Sequence, residues 1–422
     1  MLSSTISILI ILCVTILLIF EIIPPFASVL GGCMALAFAG IIGWDDAFSG
    51  FSAPVTLLVI GMNLVALAFE HTGAAGDFGR IILRFAGKSQ RIFTVSACVI
   101  TILLSSIMSN VMVMAIMLPI ASSACRASGG KLKKKYSYMA IGISSCMGGC
   151  MTLIGAPQNM LASNALITAG EQGLSFFSYT PFGLVRSILC VLFFATVGDW
   201  MQRKYFTFEE NESDEAEAVR SGEKNLQYWI SLILMVMMVA GLVSGIYPVQ
   251  TVAMGCGLLA VITGCLPVKK AFEKLPWGLI WLMAGATGLG VGIVKSGAGE
   301  AIANALIRVM GEHPSQMSVL IAFTLLAFVL SNMIETTVLV SVICPIAVAL
   351  FRQLGYPPAS VALAVCTATT FSCVLPYGTP PITMTLAGGY RTSDYMRVGG
   401  LFALIGVVTQ ILSYGFIFKL WM

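Results

Sequence analysis

The sequence predicts an all-α polytopic membrane protein of two inverted five-span repeats, each with a re-entrant helical hairpin and a broken span. Three observations predict it: a composition too apolar for water, basic flanks on both ends of one long apolar segment, and an alignment of the chain with itself. Of 422 residues, 58% are hydrophobic and 10% charged, with a mean hydropathy of +0.94. Soluble domains carry about 25% charged residues, so a water-soluble globule is excluded. Apolar runs recur along the whole length, each sufficient to cross a hydrocarbon core of roughly 30 Å. The formal charge of +4 is small and its bases sit in scattered loops. That excludes nucleic-acid binding, which needs a basic stripe on one face.

Taken in order, ordinary spans are expected at 3–20, 26–43, 53–69, 181–200, 228–246, 250–266, 276–294 and 395–421. The first lacks the basic start of a signal peptide and runs into Glu21-Ile-Ile-Pro-Pro, which marks an uncleaved span. Segments 136–166 and 357–388 are too long for a plain span and are broken in the middle. Gly148, Gly149, Gly155 and Pro157 interrupt one; Pro376, Gly378, Pro380 and Pro381 interrupt the other. Two further segments, 92–125 and 317–351, each hold about 34 residues. Twelve cysteines are present, most of them inside apolar runs and none in a C-x-x-C pair, so they read as small buried hydrophobes.

Charge decides what the 34-residue segments are. Arg80, Arg84, Lys88 and Arg91 precede 92–125, and Arg126, Lys131, Lys133, Lys134 and Lys135 follow it. Basic loops belong on the cytoplasmic side, so this segment starts and ends there and is no single crossing. It reads as a hairpin of two half-helices of about 15 residues, each reaching roughly 23 Å, with its tip at Ser109-Asn110. Alternation then places the N-terminus outside, with cytoplasmic loops at 77–91, 126–135, 201–227, 267–275 and 389–397. These loops hold 18 of the 23 Lys and Arg, while the outside loops 44–50, 167–180 and 247–250 hold none. The 201–227 stretch is a polar linker between the first repeat (1–200) and the second (228–422).

The repeat is visible directly. Residues 70–87, EHTGAAGDFGRIILRFAG, align without a gap on 294–311, VKSGAGEAIANALIRVMG, bringing His71 onto Lys295, Gly73 onto Gly297, Arg84 onto Arg308 and Gly87 onto Gly311. Residues 104–121, LSSIMSNVMVMAIMLPIA, align on 330–347, LSNMIETTVLVSVICPIA, with five identities, and IGAPQNM at 154–160 sits against YGTPPIT at 377–383. Five crossings per half is an odd number, so the second half is inverted. Inverted repeats with broken helices meeting at the midplane are the architecture of secondary transporters. Half-helix N-termini suit anions, and unwound carbonyls with Ser, Thr and Asn oxygens suit a hard cation such as Na⁺. An intramembrane protease would need a Ser/His, paired-Asp or zinc constellation, and the sequence has only His71 and His313; a channel would show a filter repeat in each subunit. His71 and Lys295 read as interfacial cations snorkelling to the headgroups, with gating or substrate attraction as the other reading.

The paired hairpins ending in Pro-Ile-Ala, the Ser-Asn tip, the G-x-P-x-N and T-P-P breaks and the F-E-x-I-P-P stretch resemble the divalent anion:sodium symporters, within the wider ion-transporter superfamily. The resemblance covers nearly the whole chain, although the family's usual first span is missing. It implies a homodimer in the cell (inner) membrane whose transport domains move like elevators, carrying a di- or tricarboxylate with Na⁺. The alternative on the same fold is proton- or metal-linked citrate transport, or permeation of an oxyanion such as sulfate or arsenite. By resemblance, one sodium site uses Ser105, Ser109, Asn110 and the Gly155 carbonyl, and a second uses Ser331, Thr336 and the carbonyls of Ile334 and Gly378. Substrate contacts fall on Asn110, Pro157, Asn159, Thr336, Thr337, Thr379 and Pro380. The family's Ser-Asn-Thr tip is here Ser109-Asn110-Val111 and Glu335-Thr336-Thr337, and Ile382 stands where the family has Asn. The second coupling ion is therefore open between Na⁺ and H⁺.

Glu335 is the one acid that counting places at a midplane, where a carboxylate costs about 2.5–3.5 kcal/mol on the insertion scale. It either binds a cation, carries a proton, pairs with a base from outside its own hairpin, or caps the half-helix that follows it.

Overall fold

The computed structural model describes residues 2–19, 22–74, 77, 89–128, 130–208, 224–244, 246–298, 301, 304 and 314–418. Among them every regular element is helical. Arg80, Arg84, Lys88, Arg308 and His313 lie outside these residues, as does most of the 201–227 linker.

Proline and glycine set the helix boundaries. Five helices begin at a proline: Pro25–Phe38, Pro54–His71, Pro157–Thr168, Pro358–Thr369 and Pro380–Met384. The first helical residue needs no N–H partner, and the ring presets its φ. Gly73 and Gly297, paired by the internal alignment, both take positive φ (80° and 70°) just past the helices Pro54–His71 and Trp277–Lys295. A side chain there would strain the turn that stops the helix.

The two long segments are each split. Gln90–Ser105 and Asn110–Ala127 have 16 and 18 residues; Gln316–Ser331 and Thr336–Gln353 have the same two lengths. In each half both arms pack on the same partner, Tyr138–Gly149 in the first and Pro358–Thr369 in the second. The second pieces of the broken segments differ. Pro157–Thr168 runs for 12 residues, whereas Pro380–Met384 has five before a 3₁₀ turn to Gly388.

Among the described residues, five helical runs are long and apolar enough to cross a membrane, and Thr180–Ala195 with Val197–Tyr205 makes a sixth only as a pair bent by 48°. The straight span expected at 181–200 is thus broken. Beyond the bend the helix is amphipathic, and buried Asp199 bonds Arg91 at 3.1 Å and Arg203 at 3.0 Å. Those two ion pairs turn the chain along one end of the bundle. Lys134 and Lys135, at the end of the 126–135 loop, are buried. The Lys135 ammonium donates to the Phe208 carbonyl at 2.6 Å and lies over the Tyr136 and Phe208 rings.

The halves grip each other crosswise. Pro54–His71 packs on Val249–Ile262, and Trp277–Lys295 packs on Pro25–Phe38. Backbones meet at Gly61, where an added Cβ would stand 2.3 Å from the Ala253 carbonyl carbon. Small residues permit such close approach where lipid supplies no hydrophobic drive.

Candidate functional site

Each hairpin tip lies against the break of its own half. At the first, Ser105 Oγ donates to the Ser145 carbonyl at 2.8 Å, and Ser145 Oγ donates to the Asn110 carbonyl at 3.2 Å. One amide atom of Asn110 sits 2.5 Å from Ser105 Oγ and 3.1 Å from the carbonyls of both Ser145 and Gly155. Three acceptors surround it, so the network assigns it as the nitrogen. Two glycines make room for this. A Cβ on Gly149 would lie 2.3 Å from the Asn110 amide, and one on Gly155 would lie 2.8 Å from the Ser105 carbonyl. With the amide turned over, Oδ1 would face the same oxygens, an all-oxygen, carboxylate-free set of the kind that suits a hard monovalent cation. Ser109, half-buried, is the cap residue of the inner arm and makes no side-chain capping bond.

Asn159 is placed behind this site. Its amide donates to the carbonyls of Gly149 (2.8 Å) and Thr152 (2.7 Å), its Oδ1 accepts from Cys366, and it is fully buried. It pins the unwound backbone of the break.

At the second tip, Gly378 approaches the Ser331 carbonyl so closely that a Cβ would stand 2.3 Å away. Ser331 Oγ donates to the Phe328 carbonyl at 2.9 Å. Thr336 and Thr379 are buried; Ile334 lies in the four-residue turn before the inner arm. Glu335 is the cap of that arm. Its Oε2 accepts from the Val338 N–H at 2.9 Å and its Oε1 from Thr337 Oγ1 at 2.8 Å. A carboxylate complements the positive end of a helix and satisfies one of its unpaired donors.

Both tips and both breaks open onto one cavity of about 440 Å³. Ser109, Pro157, Glu335, Thr337 and Pro380 line it, and Asn63 and Lys274 face them from the other helices. Asn110–Ala127, Pro157–Thr168 and Thr336–Gln353 all begin at this cavity, and the first two have no side-chain cap on their first N–H groups. Positive helix ends without a covalent partner favour a bound anion.

Sequence reading missed three residues here. Ser145, whose carbonyl and hydroxyl both bond the first tip, had no signal beyond a Ser-Ser pair in an apolar run. Lys274 ends a short helix, Val268–Lys274, in the stretch expected as a loop; it lines the cavity and pairs with Glu70 at 3.0 Å. Arg186 was legible as the one base inside the span 181–200. It is buried, and its guanidinium donates to the Thr367 carbonyl (2.6 Å), Thr370 Oγ1 (2.9 Å) and Gln410 Oε1 (2.6 Å) while stacking on Phe371.

His71 and Lys295, equivalent by alignment, differ in setting. His71 Nδ1 donates to the Cys265 carbonyl at 3.1 Å, and Nε2 accepts from Lys270 at 2.8 Å, so the ring is neutral. Lys295 pairs with Asp46 at 2.6 Å, which holds that carboxyl below its usual range.

Comparison with known proteins agrees with this architecture. An uncharacterized transporter of Methanocaldococcus jannaschii is 28% identical over 92% of this chain and 88% of its own. The sodium-dependent high-affinity dicarboxylate transporter 3 of Caenorhabditis elegans is 25% identical over 95% of this chain and 81% of its own. The sodium-dependent dicarboxylate transporter SdcS of Staphylococcus saprophyticus is 21% identical over 94% and 83%. Among solved structures, the YdaH transporter of Alcanivorax borkumensis shares the fold with a TM-score of 0.65 at 14% identity, over 90% of this chain and 88% of that one. MtrF of Neisseria gonorrhoeae shares it at 0.62 and 15%, over 87% and 82%. These relatives are transporters, not enzymes. The citrate transporter family model matches residues 15–315, most of the chain, and this multi-pass membrane protein belongs to that family.

Proposed function

We propose that the chain is a secondary active transporter that moves a small di- or tricarboxylate anion coupled to Na⁺ by an elevator motion, as a homodimer. The observation that carries this reading is the 440 Å³ cavity onto which both hairpin tips and both breaks open. The anion would lie against the N–H groups that start the helices at Asn110 and Pro157, with Thr337, Thr379 and Pro380 opposite. Na⁺ would take the oxygens of Ser105, Ser109, Asn110 and Gly155, and a second cation those of Ser331, Ile334, Thr336 and Gly378. Two relatives whose names state sodium-dependent dicarboxylate transport support the same choice.

In the bilayer, the basic-loop pattern argues for an outside N-terminus, a cytoplasmic 201–227 linker, and a second half (228–422) inverted against the first (1–200). Pro25, Phe26, Lys274 and Pro276, which line the cavity, then lie toward its cytoplasmic end. Proteoliposome uptake of a panel of labelled anions, with and without Na⁺ and pH gradients, tests the reading. Uptake of a dicarboxylate or tricarboxylate driven by inward Na⁺ is expected; no uptake of any anion under any gradient overturns it.

A second reading, coupling to a proton, is favoured by the Glu335 carboxylate in the cavity wall. A proton-coupled Glu335 makes uptake rise as the external pH falls, because protonation cancels its repulsion of the anion. Glu335→Gln then flattens that pH response while substrate binding persists. Wild-type Na⁺ and pH responses in the Gln variant would leave Glu335 as a helix cap alone.

A further inference from the structure

The close contacts of the two halves correspond residue by residue. A Cβ on Gly155 would meet the Ser105 carbonyl at 2.8 Å, and one on Gly378 would meet that of Ser331 at 2.3 Å. A Cβ on Gly183 would meet the Cys150 carbonyl at 2.3 Å, and one on Gly399 would meet that of Cys373 at 2.0 Å. Cys150 therefore answers to Cys373 and Gly155 to Gly378, at the same spacing. Between these anchors and the helix before them, Gly149 answers to Ser372 and Ser145 to Ala368. The contact inside each break agrees: Gly155 abuts Gly149 Cα at 2.9 Å, and Gly378 abuts Ser372 Cβ at 3.0 Å, both measured from the added Cβ.

The side chains at these positions exchange in a compensating way. The first half has a hydroxyl at Ser145, none at Gly149, and the Asn110 amide filling the space over Gly149. The second half has no hydroxyl at Ala368 and has one at Ser372, in the break just past the end of the helix Pro358–Thr369. Its tip residue is Thr336, whose oxygen reaches one bond less far than an asparagine amide. Each half thus keeps three oxygen-bearing side chains around its tip, redistributed in the second. Ser372 is fully buried, and its Oγ has no hydrogen-bond partner among the described residues. A buried hydroxyl left so is unfavourable unless a further group engages it.

We propose that Ser372 Oγ is a ligand of the second cation site, standing with Ser331, Thr336 and the Gly378 carbonyl where the Asn110 side chain stands in the first. The assignment rests on the cation-coupled reading above. It explains why the second tip dispenses with asparagine: the oxygen comes from the break rather than from the hairpin.

The test compares wild type with Ser372→Ala, using Na⁺ against choline as the probe. In choline the Ala variant should melt at or above the wild-type temperature, because only an unpaired hydroxyl is lost. Its Na⁺-induced rise in melting temperature should shrink. In uptake, half-saturation by Na⁺ should rise about tenfold and any sigmoidal Na⁺ dependence should flatten. Ser372→Cys keeps the volume but offers a soft sulfur, and it should show the same Na⁺ defect even if the Ala variant folds poorly. The transplant Thr336→Asn, Ala368→Ser, Ser372→Gly copies the first-half set and should recover the wild-type Na⁺ response. A Na⁺-dependent wild type beside a folded Ser372 variant with unchanged Na⁺ response overturns the Ser372 assignment alone. A wild type indifferent to Na⁺ in both assays overturns the cation-coupled reading together with it.

Discussion

Asn110 concentrates the chemistry of the first tip at one residue. It opens the inner arm, its amide touches Ser105, Ser145 and Gly155, and only a glycine at 149 leaves it space. Asn110→Ala is expected to abolish uptake while folding and oligomeric state, read by size-exclusion chromatography and melting temperature, stay near wild type. A lost buried amide network costs about 1–3 kcal/mol, well short of unfolding a protein of this size. Wild-type uptake by this variant would place the site elsewhere. The Ser-Asn tip was legible because it sits at the midpoint of a segment with basic ends. Ser145 was not, because a serine in an apolar helix has the same appearance whether it bonds its own backbone or another element.

At the scale of elements, the hairpins and broken segments decide which backbone is left unpaired at depth. Such backbone is tolerated only where protein or a wet cavity covers it. Here Asn159 satisfies the carbonyls of Gly149 and Thr152, while Thr383 donates to the Pro376 carbonyl at 2.7 Å. The hairpin reading makes a topological prediction. Single cysteines at positions 88 and 131 should both react with an impermeant reagent from the cytoplasm, and one at position 48 from outside. Labelling of 88 and 131 from opposite sides would make 92–125 a crossing, and the inverted orientation of the second half would fall with it. The bend in Thr180–Tyr205 escaped the sequence because the Asp199 pair with Arg91, which anchors the helix beyond the bend, joins residues 108 positions apart.

For the whole molecule, Arg186 is the buried base that ties the halves together, beside more exposed pairs such as Lys274–Glu70 and Lys295–Asp46. Arg186 comes from the first half; Thr367, Thr370 and Gln410 come from the second. A buried guanidinium is retained only when its donors are matched, and its planar fork suits three acceptors in a way that a lysine ammonium does not. Arg186→Met should therefore leave Gln410 Oε1 without its donor. It is expected to lower stability by about 2–4 kcal/mol, read as a fall in melting temperature in detergent, and Arg186→Lys should recover only part of it. An unchanged melting temperature in the Met variant would show that the helix contacts and the remaining ion pairs hold the halves without Arg186.

Composition, basic-loop asymmetry and self-alignment were enough to determine the all-helical membrane class and where the two long apolar segments split and the two others break. Each of those is a local or periodic property, written in consecutive residues. Only the tertiary structure decided which groups share a cavity. It brought Lys274 and Asn63 across from other helices, turned Asn159 away to hold the break, made Glu335 a helix cap, and left Ser372 buried beside Gly378. The arrival of Lys274 and Asn63 depends on helices far apart in the chain packing together, which the spacing of residues does not encode; the Glu335 cap and the Asn159 bonds are local, and the fold decided them by choosing one of several partners within reach.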